Sequence, residues 1–312
     1  MDAVTTEVQT RVSPHRTRGV LLVLGAAVGF GSSGPLAKPV MSAGFTPQQV
    51  AAVRVGLAAL VLLAGVAAVR PRLLRVRKDQ LPLLFAYGLL GVGGVQLCYF
   101  AAIGRLPVGI AMVLEFTSPV LVALWVRFVR GTRMPGPAWF GTAMAMLGLA
   151  MIAQVWQGLR LDAIGLLAGL GAAVCSAAYF LLGERGAGAH HPLGLVTWGM
   201  VIGAVSIFVL VPPWTLPVGA LGHGTELGVP VWTLLIAVAL FSTAMAYLLG
   251  ITALRFVPST VASVLGLAEP VVATALAWLV LHESLSPVQL VGAAVLLSGA
   301  AVVELGARVP VA

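Results

Sequence analysis

Three charged side chains stand deep inside long apolar runs: Arg54, Glu115 and Glu269. An ionised group at the centre of a transmembrane helix costs about 2.5–3.5 kcal/mol on insertion scales, so such residues mark solute or proton pathways, or pair with one another. Arg54 lies seven residues past Pro47, and Glu115 eight past Pro107. At about 1.5 Å per residue these positions are roughly 10 and 12 Å below the same surface. That similarity of depth predicts that the two approach closely enough to pair or share a water, lowering the cost of both charges. A fixed structural salt bridge and a direct solute contact both fit Arg54. Glu269 lies ten residues past Ser259, about 15 Å deep and so near the midplane. A carboxylate there suits a substrate amine or a proton in transit; the plainer alternative is a protonated Glu269 bonded to a neighbouring helix.

Pro270 follows Glu269 directly, and Pro119 holds the equivalent place after Glu115. Proline cannot donate to the carbonyl four residues back, so each helix is expected to loosen one turn earlier, around Glu115 and Gly266. Freed carbonyls beside an acid suit a cation or an amine. Ser32 and Ser33 sit among Gly29, Gly31 and Gly34, where a helix is thin and easily bent. Gln96, Tyr99, Tyr179 and Tyr247 are further candidates for a cavity wall. For each of these the alternative stands: Ser and Gln also join transmembrane helices, and a Tyr near a span end belongs to the interfacial belt. Tyr99 and Tyr179 are the two expected nearest an end.

Other chemistries find little support. His190 and His191 are adjacent, so they project apart, and no third ligand is spaced for them; a solvated loop is the reading, and no metal is expected. Cys98 and Cys175 read as buried free thiols. Without a Gly-x-x-x-x-Gly-Lys-[Ser/Thr] run, ATP-driven pumping has no motif, and no cofactor is called for.

The elements that must position these residues follow from composition. Of 312 residues, 60% are hydrophobic and 9% charged, and mean hydropathy is +1.04. Soluble domains carry roughly a quarter charged residues, so most of this surface must face lipid. Ten segments are long and apolar enough, or nearly so, to span a bilayer: 19–41, 47–69, 81–103, 107–128, 137–156, 162–183, 192–211, 231–251, 259–281 and 287–305. Prolines punctuate the breaks, among them Pro47, Pro107, Pro192, Pro230, Pro258 and Pro287.

The net charge of +8 belongs to the loops between those spans rather than to a nucleic-acid surface. With the N-terminus inside, fourteen of the eighteen Lys and Arg fall on cytoplasmic segments, chiefly Arg70–Lys78 and Arg127–Arg133. Only Arg105 and Arg160 fall outside. The positive-inside bias therefore predicts cytoplasmic termini. Sixteen arginines against two lysines point to a GC-rich bacterial genome, and hence to a bacterial inner membrane.

The second half repeats the first. At an offset of 151 residues Pro107 meets Pro258, Pro119 meets Pro270, Gly141 meets Gly292 and Gly148 meets Gly299; near the start, Gly25–Val28 matches Gly171–Val174. Five spans is an odd number, so the second copy enters the membrane upside down. The expected fold is thus an all-α membrane protein of ten transmembrane helices, two inverted five-helix repeats around a central cavity. Its divisions are a cytoplasmic tail 1–18, repeats 19–156 and 157–306, and a tail 307–312. Inverted repeats suit alternating access, with a solute held between the halves.

These features, together with Leu106-Pro107-Val108-Gly109, Ser118-Pro119-Val120, Val257-Pro258-Ser259, Ala268-Glu269-Pro270 and His282-Glu283-Ser284-Leu285, resemble the EamA-type drug/metabolite transporter superfamily over nearly the whole chain. Leu114-Glu115-Phe116-Thr117-Ser118-Pro119 is similar to the branch that includes threonine and homoserine exporters. The resemblance implies ten helices, a central cavity and efflux of small metabolites or amino-acid-like solutes. The family's Gly-Glu-Arg-Leu turn reads Gly131-Thr132-Arg133-Met134 in the first copy, so its acidic residue survives only as Glu283. The function read here is secondary transport driven by a proton or solute gradient, with the lipid bilayer and a small solute as partners. An integral-membrane enzyme would need His, Asp or Cys clustered at one face, and a channel would need rings of polar residues; neither pattern stands out.

Overall fold

The computed structural model describes residues 14–156, 162–282 and 284–306. Most of the tail 1–18, the tail 307–312, Arg160 and Glu283 therefore lie outside the described residues. Helices make up the architecture, and no strand occurs among the described residues. In order they are α1 (Pro14–Gly31), α2 (Ser33–Ser42), α3 (Pro47–Val69), α4 (Leu81–Ala86), α5 (Val95–Ile103), α6 (Val108–Glu115), α7 (Ser118–Phe128) and α8 (Gly136–Ile152). Then follow α9 (Ala163–Ala189), α10 (Pro192–Leu210), α11 (Val231–Ala239), α12 (Ala246–Ala253), α13 (Ser259–Gly266), α14 (Ala268–Leu281) and α15 (Pro287–Gly306).

Several of these are halves of one crossing. Among the described residues nine continuous helical segments are long and apolar enough to span a membrane. The segment expected at 137–156 is shorter: α8 has 17 residues and stops at Ile152. Beyond it Gln154 adopts a left-handed backbone and donates to Ser286 Oγ at 2.7 Å. At about 1.5 Å per residue α8 reaches roughly 26 Å, short of a ~30 Å hydrocarbon core. Its glycines lie against those of α15. A methyl on Gly141 would sit 2.6 Å from the Gly299 carbonyl oxygen, and one on Gly148 2.5 Å from that of Gly292. Small residues let two backbones meet, which is how helices associate where lipid removes the hydrophobic drive.

The first helix begins at Pro14, so Arg16 and Arg18, expected in a tail, are helix residues. Caps set the entries. Thr46 accepts from Gln49 N–H and donates its own N–H to Gln49 Oε1, with Pro47 in the first turn; Asp162 accepts from Gly165 N–H at 2.7 Å.

Three crossings are interrupted where glycine or proline weakens the ladder. The first breaks at Ser32, the fourth between Glu115 and Ser118, and the crossing Ser259–Leu281 between Gly266 and Ala268. Two more carry π-helical turns, Tyr87–Gly94 and Leu240–Met245. Wide turns of this kind are frequent at functional sites.

Contacts sort the connections into two ends. At one end Arg130 pairs with Glu184 and Arg16 with Glu304. Arg255 donates to the carbonyls of Ala187 and His190, and Trp198 Nε1 donates to the Leu74 carbonyl. At the other end Gln49 donates to the Thr215 carbonyl, Arg105 faces Asp162 at 3.8 Å, and Phe45, Val50, Ala220 and Val231 share an apolar cluster. The segments after residue 70 and after residue 212 are thus at opposite ends, and the basic residues gather at the first.

Candidate functional site

The interrupted helices surround a cavity of about 500 Å³. Its wall reaches Met41, Pro47, Ile103 and Val108 towards the end poor in basic residues, and stops at Val23, Gly250 and Ala262 short of the basic end. Below that floor the helices are in tight contact: a methyl on Gly19 would lie 2.7 Å from Phe256 Cβ and 2.8 Å from Val257 Cγ1. The cavity therefore opens away from the basic end.

Arg54 on α3, Glu115 at the last turn of α6 and Glu269 in the first turn of α14 all line this space. Gln96, Tyr99, Tyr179, Tyr247, Ser33 and Pro270 line it with them. Each acid sits beside a helix break, so freed backbone groups share its surroundings. Arg54, Glu115 and Glu269 lie within one another's electrostatic reach.

Of the two arrangements expected for Arg54 and Glu115, a direct pair or a shared water, the direct ion pair does not form. Ion pairs among the described residues join Arg16 to Glu304, Arg77 to Asp79, Arg105 to Asp162 and Arg130 to Glu184. Arg54 makes none with Glu115, and its Nε is buried without a hydrogen-bond partner. Both side chains line the cavity without meeting within ion-pair distance. A guanidinium N–H left without a partner can donate to an anion, and carboxylates match its geometry.

Ser32 is absent from the wall. Its hydroxyl shares a 2.7 Å hydrogen bond with Ser242 and donates to the Gly29 carbonyl, so it joins the break after α1 to the π turn Leu240–Met245. Pro119 is likewise buried behind the wall, while Pro270 faces it. Tyr179, expected near a span end, is ten residues from the end of α9, which runs on to Ala189. It belongs to an aromatic cluster: its ring meets that of Tyr247 edge-on at 5.4 Å, and Tyr247 meets Phe30 at 5.0 Å. Tyr87, unmarked by its sequence context, adds a tilted ring contact with Tyr179 at 6.1 Å. His190, expected in a solvated loop, is half-buried, and both its ring nitrogens are buried without partners.

Several wall residues were not among the candidates drawn from the sequence. Ser118 and Ser176 line the cavity together, as do Phe100, Phe116 and Phe180. The i, i+3 spacing of Ser176 and Tyr179 on one helix was the available signal, since such residues share a face. No group of three or more His, Cys, Asp or Glu suited to a metal occurs among the described residues.

The model of the EamA-like transporter family matches the chain twice, over residues 17–154 and 163–305. The chain is 37% identical over 277 residues to the threonine/homoserine exporter RhtA of Escherichia coli (strain K12), covering 87% of this chain and 85% of that protein. It is 36% identical over 276 residues to the protein of the same name from Salmonella typhimurium (strain SL1344), with the same coverage. A solved crystal structure superposes with a TM-score of 0.78 at 21% identity, covering 94% of this chain and 98% of its own; it bears on the fold alone. The family and these relatives are transporters, not enzymes. With its apolar spans, its cavity and two matches to one family model, this multi-pass membrane protein belongs to the EamA-like transporter family.

Proposed function

We propose that this transporter exports amino-acid-like solutes from a bacterial cytoplasm by alternating access, using two inverted five-helix halves, 19–156 and 157–306. One observation carries the solute class: Arg54, whose buried Nε has no partner, shares a cavity with Glu115 and Glu269. A free α-amino acid presents a carboxylate and an ammonium, and this trio matches both. The similarity to threonine/homoserine exporters supports the same class.

Reciprocal contacts support the inverted halves. Gly141 meets Gly299, the partner of Gly148 at the 151-residue offset; Gly148 meets Gly292, the partner of Gly141. A two-fold axis between equivalent helices requires such an exchange. Gly25 faces Leu249 at one place and Gly171 faces Cys98 at the matching one, each at 3.3 Å from an added methyl. The π turns at Tyr87–Gly94 and Leu240–Met245 also correspond. Ten crossings, with α8 a short one held by α15, make this arrangement consistent.

Positive-inside bias supports a cytoplasmic basic end and cytoplasmic termini. The cavity then faces outward, in a state after solute release. Glu269 is our candidate for proton coupling. The test is efflux: cells overproducing the protein should survive toxic levels of threonine or homoserine and release them saturably. Export of neither, by protein verified in the membrane, would sink the solute class.

A further inference from the structure

Hydroxyl groups in these spans mostly satisfy themselves on their own helix. Thr142, Thr197, Thr252, Thr274 and Ser298 each donate to the carbonyl four residues back. Ser176 does not. Its Oγ donates across to Ser118 Oγ at 2.9 Å, joining α9 to the first residue of α7. Both residues line the cavity, and Ser118 is otherwise buried, 1% exposed. Ser118 accepts in this bond, so its own proton remains to be donated, and Ser176 Oγ keeps its lone pairs. Among the described residues neither capacity has another taker.

We propose that the Ser118–Ser176 pair reads a hydroxyl on the solute. A solute O–H placed there accepts from Ser118 and donates to Ser176, closing a ring of three hydroxyls. A methyl in the same place leaves both serine groups unpaired in a buried site, the kind of mismatch by which polar pockets reject apolar isosteres. Ser118 lies three residues past Glu115, one turn from the acid assigned to the charged end of the solute. The inference rests on the amino-acid reading of the cavity and adds to it the side-chain group that is selected.

The test uses the full chain in inside-out vesicles, comparing saturable uptake of threonine with its isostere valine. Wild type should favour threonine. Ser118→Ala and Ser176→Ala should each lower the threonine-to-valine ratio by about tenfold, while Ser176→Thr, which keeps a hydroxyl, should retain it. Ser298→Ala, at an exposed serine bonded within α15, should match wild type and controls for handling. If Ser118→Ala does not accumulate in the membrane, the Ser176 variants decide alone. Threonine transport with an unchanged ratio in the alanine variants overturns the hydroxyl subsite and leaves the amino-acid reading standing. A wild type that carries valine as well as threonine also overturns the subsite only. Transport of neither amino acid overturns both.

Discussion

The backbone N–H of Ser259 donates to Glu184 Oε1 across 2.8 Å, while Arg130 holds the other carboxylate oxygen. Ser259 Oγ adds a longer bond to that second oxygen, at 3.2 Å. Glu184 thus ties the last turns of α9 to the start of α13 and to the segment after α7. All three lie at the basic end, beneath the closed floor of the cavity. In the proposed alternating-access cycle, opening that end breaks these bonds, so their loss should favour the state open to the basic side. Arg130 and Glu184 are partly exposed, which limits the ion pair to about 1 kcal/mol, or roughly fivefold in population. Glu184→Gln should therefore speed labelling of an Ala262→Cys thiol by a maleimide added from the basic side. The background would carry Cys98→Ser and Cys175→Ser. An unchanged labelling rate would remove Glu184 from the gate.

Arg54 makes a sharper demand. Its buried Nε lacks a partner in the protein, so a solute carboxylate is the group proposed to satisfy it. Arg54→Gln should reduce threonine transport about 10–100-fold, the range expected when a charged hydrogen bond of about 1.5–3 kcal/mol is lost. Threoninamide, which has no carboxylate, should be nearly indifferent to the same change. Equal loss for both solutes would point to a structural role instead.

Much of this was legible because depth is a one-dimensional property. Counting residues from Pro47, Pro107 and Ser259 put Arg54 and Glu115 at roughly 10 and 12 Å depth and Glu269 near the midplane. All three line the cavity, and Pro119 and Pro270 announced the breaks before them. Direction around a helix axis is harder to read. Ser32 and Ser33 are adjacent, yet one faces Ser242 and the other the cavity, because successive residues turn by about 100°. The same blindness led Arg54 towards an ion pair with Glu115 that does not form. Ser118–Ser176 and Arg130–Glu184 depend on which helices become neighbours, and uniformly apolar spans carry no amphipathic stripe to reveal that. The short α8 was misjudged since apolar residues continue past the point where the backbone turns at Gln154.

The α8–α15 crossing should tolerate almost no added volume. A methyl on Gly148 would lie 2.5 Å from the Gly292 carbonyl oxygen, and one on Gly292 2.8 Å from that of Gly148. Backbone cannot swing aside as a side chain can. Gly148→Ala and Gly292→Ala should each cost about 1–3 kcal/mol and lower the unfolding midpoint in detergent by about 2–10 °C. Gly65 has open space where its methyl would go, and Gly65→Ala should leave the midpoint within a degree or so. Matching midpoints for all three would refute the close approach of these helices.

Glu269 and Glu115 occupy corresponding breaks but different steps, if Glu269 is the group that carries a proton through the cycle. Exchange of solute for solute needs no net proton movement, whereas export driven by a pH gradient does. Glu269→Gln should then abolish gradient-driven export of threonine while preserving threonine-for-threonine exchange at a rate near that of wild type. Glu115→Gln, which weakens the solute site itself, should depress both. The measurement is labelled threonine in vesicles, with an imposed pH gradient in one arm and an equal internal pool in the other. Gradient-driven export that persists in Glu269→Gln would strip the residue of the coupling role, even with Arg54 and the cavity intact.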